Sequence, residues 1–89
     1  MYYVCLLRSE ADSSRTYVGF TEHLRQRFKE HNFGKSVHTA KHRPWILETY
    51  IAFSCIEQAR GFERYLKSPS GIAFANKRLR TANSQVREA

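Results

Sequence analysis

The sequence predicts a small α/β domain (α+β in arrangement), and three observations support that class. Its 89 residues suffice for one hydrophobic core and no more. Three segments, at residues 2–8, 15–19 and 45–53, are rich in the aromatic, β-branched and aliphatic residues typical of strands. Two further segments, from Thr21 and from Ser54, begin with helix-capping residues and continue with apolar residues at helical spacing.

The predicted strands are bounded by turn-forming sequence. Residues 9–14 are polar, which indicates a turn that joins the first two strands as a hairpin. The third strand follows Pro44 and is closed by Ser54. We therefore expect a hairpin, then a helix and a loop, and then one more strand.

The first helix is expected to start with Thr21 as its N-cap and Glu22 near the positive end of the helix dipole. It should run to about Asn32, and Gly34 is expected to close it in the left-handed conformation.

Two stripes run along this helix, because side chains four residues apart share a face. Leu24 and Phe28 form the apolar stripe and are expected to be buried. His23, Arg27 and His31 form a second stripe beside it.

The second helix has a capping-box pattern, Ser54 followed by Glu57, and should extend to a break at residues 67–71. Its apolar arc consists of Ile56, Ala59, Phe62 and Leu66. A third, short helix is predicted over residues 72–79, and residues 81–89 are expected to be a polar, frayed tail.

The charge balance favours a polyanionic partner. Fifteen lysines and arginines against eight acidic residues give a net charge of +7 and a pI near 9.9. The basic residues are spread along the chain, and nucleic acid is the commonest partner of such a domain. The alternative is a soluble domain with surplus surface lysines.

Membrane insertion and secretion are not expected. No apolar run approaches the roughly 20 residues that a membrane span needs, and the first residues contain no signal-peptide core. Cys5 and Cys55 match no metal-binding spacing. We therefore expect two reduced cysteines in a cytoplasmic protein.

Glu63 is the clearest anomaly in the pattern, because it falls between Ala59 and Ile56 inside the apolar arc of the second helix. A buried carboxylate is costly unless it is paired or binds a metal. Glu63 could pair with Arg60 or Lys67, or it could bind a hard cation such as Mg²⁺. The spacing alone leaves both alternatives open.

Arg27 and His31 share a helix face that the end of the second strand, with Tyr17, could reach. An arginine fork suits a phosphate and the charge that develops on it during transfer. The alternatives are a surface arginine, a histidine near the helix end and an ordinary strand tyrosine.

The loop from Lys35 to Arg43 is basic and lacks apolar periodicity, and Trp45 follows it. The loop could track a phosphate backbone, with Trp45 as a stacking face for a base. Trp45 could equally be a core residue.

Several short motifs, in order along the chain, together resemble the GIY-YIG nuclease superfamily and its small stand-alone bacterial members. Residues 17–19, Tyr-Val-Gly, stand as the YIG element, and residues 3–5, Tyr-Val-Cys, occupy the place of the GIY element. The further matches are Leu24 with Arg27 (L-x-x-R), His31 and Asn32 with Gly34 and Lys35, Arg43-Pro44-Trp45, and Ala59 with Glu63 and Lys67. We expect residues 1–80 to form the nuclease-like domain.

The resemblance implies a three-stranded antiparallel sheet flanked by helices, and hydrolysis of DNA phosphodiester bonds with one divalent metal, Mg²⁺ or Mn²⁺. It implies that Tyr17 activates or holds the attacking water, that Arg27 stabilises charge on the phosphate, and that His31 assists proton transfer or grips the phosphate. Glu63 would ligate the metal. Supporting roles would fall to Tyr3, Cys5, Gly19 and Lys35, and nucleic-acid contacts to Lys35, Lys41, Arg43 and Lys67.

Cys5 departs from the family pattern, because the first motif normally ends in tyrosine. A cysteine cannot supply a phenol, and a buried one usually behaves as a small apolar residue. The sequence therefore keeps open a catalytically impaired nucleic-acid-binding module of the same fold. A third alternative is a structural or partner-binding domain. A partner protein or a homo-oligomer could supply targeting.

Overall fold

The computed structural model describes residues 1–35 and 38–80, and in these it contains three strands, three α-helices and one 3₁₀ turn. The strands are β1 (Tyr2–Ser9), β2 (Thr16–Thr21) and β3 (Trp45–Phe53). The helices are α1 (Leu24–Asn32), α2 (Ile56–Leu66) and α3 (Pro69–Arg78), and the 3₁₀ turn is Ala40–His42. The predicted polar tail at 81–89 lies outside the described residues. No helix in the described part of the chain is long and apolar enough to cross a membrane.

The three strands form one antiparallel sheet in the order β2-β1-β3, which confirms the predicted fold class. The central strand β1 is buried from Val4 to Leu7 because it has a strand neighbour on both sides and helices over both faces. Its register places Cys5 opposite Gly19 of β2 and opposite Tyr50 of β3.

Helices cover both faces of the sheet. The main hydrophobic core lies on the face covered by α2 and α3, and consists of Val4, Leu6, Ala59, Leu66 and Ala75. Side chains alternate along a strand, so Cys5 of β1 and Tyr17 of β2 point to the other face. There α1 packs on the sheet, with the ring of His31 against the ring of Tyr17.

The prediction that Thr21 caps α1 is wrong. Thr21 is the last residue of β2 and pairs with Tyr3 of β1. Its hydroxyl accepts a hydrogen bond from the His23 N–H at 2.9 Å, and α1 begins at Leu24. Pairing with β1 already fixes the Thr21 backbone in the extended conformation, so the helix starts only after the chain has left the sheet.

The predicted capping box of Ser54 and Glu57 is also wrong. Cys55 is the N-cap of α2, and no side chain caps its first turn. The Glu57 carboxylate instead accepts a hydrogen bond from the Cys55 thiol at 3.2 Å. Only a side chain at the N-cap position itself would meet the free N–H groups of the first turn. Ser54 stands one residue before that position.

The third helix starts three residues earlier than the predicted Ile72. The Ser68 hydroxyl accepts a hydrogen bond from the Gly71 N–H at 3.2 Å, and Pro69 occupies the first helical position. Proline suits that position because its missing N–H would have no partner in the helix. The break between α2 and α3 is therefore confined to Lys67 and Ser68.

The end of α1 agrees with the prediction, but its buried side differs. The helix ends at Asn32, and Gly34 follows with a left-handed φ of 78°. Leu24 and Phe28 remain partly exposed, whereas His31 is the buried residue of the helix.

A bulge in β3 directs a carboxylate into the fold. Leu6 and Leu7 of β1 pair with Thr49 and Leu47, which leaves Glu48 as an extra residue between them. The Glu48 side chain is only 2% exposed.

Glu48 joins two arginines from opposite ends of the chain. Its carboxylate lies 2.8 Å from Nε of Arg8 and 2.6 Å from Nη1 of Arg80. Arg80 also donates to the carbonyl of Leu7 at 3.0 Å. The network ties Arg80, two residues after the end of α3, to the centre of the sheet.

We predict that Glu48→Gln lowers the free energy of unfolding by about 3–5 kcal/mol, because it leaves the buried guanidinium of Arg80 and the partly buried one of Arg8 without their counter-charge. Urea denaturation followed by circular dichroism measures the change. The exposed Glu10→Gln is the matched control and should change stability by less than about 0.5 kcal/mol. Equal stability of the two variants would show that the Glu48 network does not hold the fold.

Candidate active site

Tyr17 lies at the centre of the candidate site, on the edge strand β2. Its ring centroid is 4.8 Å from that of His31, with the rings at 61°, and 6.4 Å from that of Trp45. The structure therefore brings together the tyrosine of the strand and the histidine of α1 that the sequence placed on one helix face.

Gly19 makes room for the phenol ring of Tyr17. A Cβ at Gly19 would stand 2.8 Å from a ring carbon of Tyr17 and 3.6 Å from Sγ of Cys5. The Cys5 thiol points the same way and contacts the carbonyl oxygen of Gly19 at 3.7 Å. A side chain at position 19 would displace the ring or the thiol, so the position of the Tyr17 ring depends on a glycine there.

Arg27 reaches the phenol from α1. Its guanidinium donates to Glu30 at 2.9 Å and also interacts with the Tyr17 side chain. The hydrogen bond to Glu30 raises the pKa of Arg27, and the interaction with Tyr17 raises it further. Partial burial of the guanidinium opposes that rise. Its side chain is 35% exposed, so the cation stands beside the tyrosine and is still open to a ligand.

His31 is fully buried, unlike a typical helix-end histidine. Nδ1 lies 2.7 Å from the Thr39 hydroxyl, and Nε2 has no hydrogen-bond partner within residues 1–35 and 38–80. Burial, and then the Arg27 charge, lowers the pKa of His31, so the imidazole is neutral at neutral pH.

The loop after α1 is anchored beneath the site by Trp45. The indole N–H donates to the carbonyl of Thr39 at 2.8 Å, and the Asn32 amide donates to the carbonyl of Trp45 at 3.2 Å. Trp45 is 4% exposed, so it is a core residue and offers no stacking face to a base. Sequence reasoning missed Thr39, because a threonine in a polar loop gives no signal that it will be buried against a histidine.

Glu63 has the ion pair that one of the sequence alternatives expected. Its carboxylate lies 3.1 Å from Nζ of Lys67, one helical turn along α2, and its side chain is 18% exposed. Arg60, the other candidate partner, places its guanidinium 4.2 Å above the ring of Phe20. The partner of Glu63 in α2 is therefore Lys67.

Cys5 is a buried residue on which the charges of Arg27 and Glu63 both act. Burial raises the pKa of its thiol, and the charges of Arg27 and Glu63 act on the thiol in opposite directions. Arg27 and Glu63 belong to helices on opposite faces of the sheet. The charges of both nevertheless act on the Cys5 thiol.

Glu63 is compatible with a hard cation only if other ligands come from outside the chain. Residues 1–35 and 38–80 contain no group of three or more His, Cys, Asp or Glu side chains that could hold a metal. Mg²⁺ suits such a site, because it commonly takes one or two carboxylates and fills its shell with water and substrate phosphate. Lys67 is 55% exposed, so displacing it from Glu63 would cost at most about 1 kcal/mol.

The remaining predicted residues differ in how freely they can meet a substrate. Lys35 and Lys41 are exposed, as expected for contacts to a phosphate backbone. Arg43 is also exposed, but its guanidinium lies over the backbone of Gly34. Tyr3 packs edge-on against Tyr50 of β3, with ring centroids 5.9 Å apart, rather than against Tyr17.

We predict that lowering the pH from about 7.5 to about 5 destabilises the wild type more than His31→Gln. The unfolded histidine has a pKa near 6.5 and the folded one a lower pKa, so stability falls as protons bind the unfolded chain below that value. Glu30, whose pKa is lowered, stays ionised in this range. Thermal unfolding at both pH values measures the difference, and equal losses in both proteins would contradict it.

Comparison with known protein families identifies the domain. A family model described as the GIY-YIG catalytic domain matches residues 1–80. Searches of curated proteins and of solved structures gave no match. The matched residues include all three strands, all three helices and each of Tyr17, Arg27, His31 and Glu63. The chain therefore belongs to the GIY-YIG family of nuclease domains.

Proposed function

We propose that the protein is a divalent-metal-dependent endonuclease that hydrolyses phosphodiester bonds, most naturally in DNA. The observation that carries this proposal is the packing of the Tyr17 ring against the buried His31, with Arg27 of the same helix interacting with the Tyr17 side chain. A phenol and an imidazole can take part in proton transfer, an arginine can stabilise charge on a phosphate, and a carboxylate can hold a cation.

Each side chain has a role that follows from its position. Tyr17 holds the attacking water through its hydroxyl, and Arg27 beside it stabilises the negative charge that grows on the phosphate oxygens. His31 is buried and neutral, which favours proton transfer with Tyr17 over a direct grip on the phosphate. Glu63 would hold Mg²⁺ or Mn²⁺, which when bound neutralises phosphate charge and stabilises the leaving oxygen.

Nucleic acid is the substrate class that the charge supports. The chain carries a net charge of +7, and Lys35 and Lys41 are exposed on the loop that follows α1. Contacts of this kind bind the phosphate backbone without reading sequence. We also place the reaction in the cytoplasm, with a partner protein or a second copy of the chain as the source of targeting.

A second candidate function is supported by Cys5. Its thiol is 3% exposed, and burial raises its pKa, so the group at the first-motif position is neutral and apolar. If a phenol is required there, the chain binds nucleic acid and does not cut it.

We predict that Glu63→Ala and Arg27→Ala each lower Mg²⁺- or Mn²⁺-dependent cleavage by at least about 100-fold while the protein stays folded. The measurement is a panel of end-labelled DNA and RNA structures, with and without Mn²⁺. Glu57→Ala on α2 and Arg25→Ala on α1 are exposed matched controls and should cut like the wild type. Cleavage that survives either site variant, in preparations free of contaminating nuclease, removes that residue from the mechanism.

The two candidate functions separate in a second comparison, of the wild type with Cys5→Tyr and Cys5→Phe. The proposed function predicts that the wild type already cuts. The impaired-module alternative predicts an inert wild type, cleavage by Cys5→Tyr, and none by Cys5→Phe, which adds the ring without the hydroxyl. Binding that is absent or insensitive to salt in all three would exclude both functions, because phosphate contacts impose a steep salt dependence.

A further inference from the structure

A groove lies beside Tyr17, on the outer edge of the sheet. Its volume is about 340 Å³, and it runs between β2 and the helix pair α2 and α3. The residues that line it are Thr16, Tyr17, Val18, Leu66, Lys67, Ile72, Ala75, Asn76 and Arg80. None of the roles described above for Tyr17 or Lys67 makes use of this space.

The floor and sides of the groove are mainly apolar. Leu66 is 1% and Ala75 3% exposed, so they form a fixed floor. Ile72 is 49% exposed at the side, a high value for a large aliphatic residue. An apolar ligand that entered the groove would cover Ile72 and gain from its desolvation.

The polar groups of the groove lie at its margins. β2 has β1 as its only strand neighbour in the described chain, so along one wall alternate residues turn unpaired N–H and C=O groups outward. The exposed Asn76 offers an amide with two donors and an acceptor on the other side, and Lys67 adds a positive charge.

We propose that this groove binds a single unpaired nucleobase of the nucleic-acid substrate. A base has apolar faces and a polar edge of donors and acceptors, which matches apolar walls bordered by an amide and a free strand edge. The volume is at the lower end of the range of ligand pockets and is sufficient for a single base. The inference rests on the proposed function and adds to it the structural class of substrate.

The position of the groove argues for a base rather than a peptide. Tyr17 lines the groove at the β2 edge and turns its ring toward α1, so a strand that crosses this edge can place one phosphate at the reaction centre and an adjacent base in the groove. The net charge of +7 favours a polyanion on this surface. Moving a base out of a duplex costs stacking and pairing, and that cost is least where the base is already unpaired. The expected preference is therefore for bulged, flapped or single-stranded substrate over perfect duplex.

The test uses the full-length chain and two matched oligonucleotides, with 2-aminopurine either in a single-base bulge or paired in a duplex. Binding is measured in EDTA, so that no metal-dependent cleavage occurs. We expect the bulged oligonucleotide to bind about ten-fold tighter than the duplex. We also expect its fluorescence to rise, because the base leaves the stack for aliphatic walls.

Ile72→Trp fills the groove from an exposed position, and Phe74→Trp is its matched control. Phe74 is 38% exposed on the same helix and does not line the groove. We expect Ile72→Trp to bring the affinity ratio of bulge to duplex close to one and to abolish the fluorescence rise. Phe74→Trp should keep the wild-type ratio.

The proposal is overturned if the wild type shows no preference and no fluorescence rise, or if Ile72→Trp keeps both. It is also overturned if Ile72→Trp shifts the unfolding temperature by several degrees but leaves binding unchanged. In that case the tryptophan packs into the groove, and the nucleic acid does not need the groove to bind. Cleavage of duplex by a protein without the preference would reject the base site and leave the proposed function standing. Absence of both binding and Mn²⁺-dependent cleavage would reject the two together.

Discussion

The candidate site depends on the register between β1 and β2. That register sets Cys5 opposite Gly19, and it turns Tyr17 toward α1 instead of toward the main core. A slip of one residue would exchange the two faces of β2 and carry the phenol away from both Arg27 and His31. The pairing is well determined, because the same slip would expose Val18 and Phe20, which pack against the core.

Helices on the two faces of the sheet carry the oppositely charged residues of the candidate site. α1 carries Arg27 on one face and α2 carries Glu63 on the other, and both charges act on the buried Cys5 thiol. Neither charge is isolated: Arg27 has Glu30 and Glu63 has Lys67, each within one helical turn. These are partly exposed pairs of modest strength, so a phosphate or a metal can replace either partner at little cost.

Much of the fold could be predicted from the sequence, since strand composition and helical spacing record local preferences. β3 was predicted at its observed bounds, and Glu63 stood out because a carboxylate in an apolar arc breaks a strong pattern. The helix starts at Thr21 and Ser54 were wrong because capping residues compete with strand pairing and with the exact path of the chain. His31 burial, its contact with Thr39 and the groove beside β2 each arise from several elements meeting in space. No spacing along the chain encodes such a meeting.

The ion pair of Glu63 and Lys67 has a consequence for how the protein is made. Where a carboxylate cluster must await its metal, folding and metal loading are one event, and the apo chain is unstable. Here an internal ammonium group neutralises the carboxylate within α2 from the moment that the helix forms. Folding of the domain therefore requires no cation at Glu63. A newly made chain can reach its mature shape whatever the level of divalent metal around it.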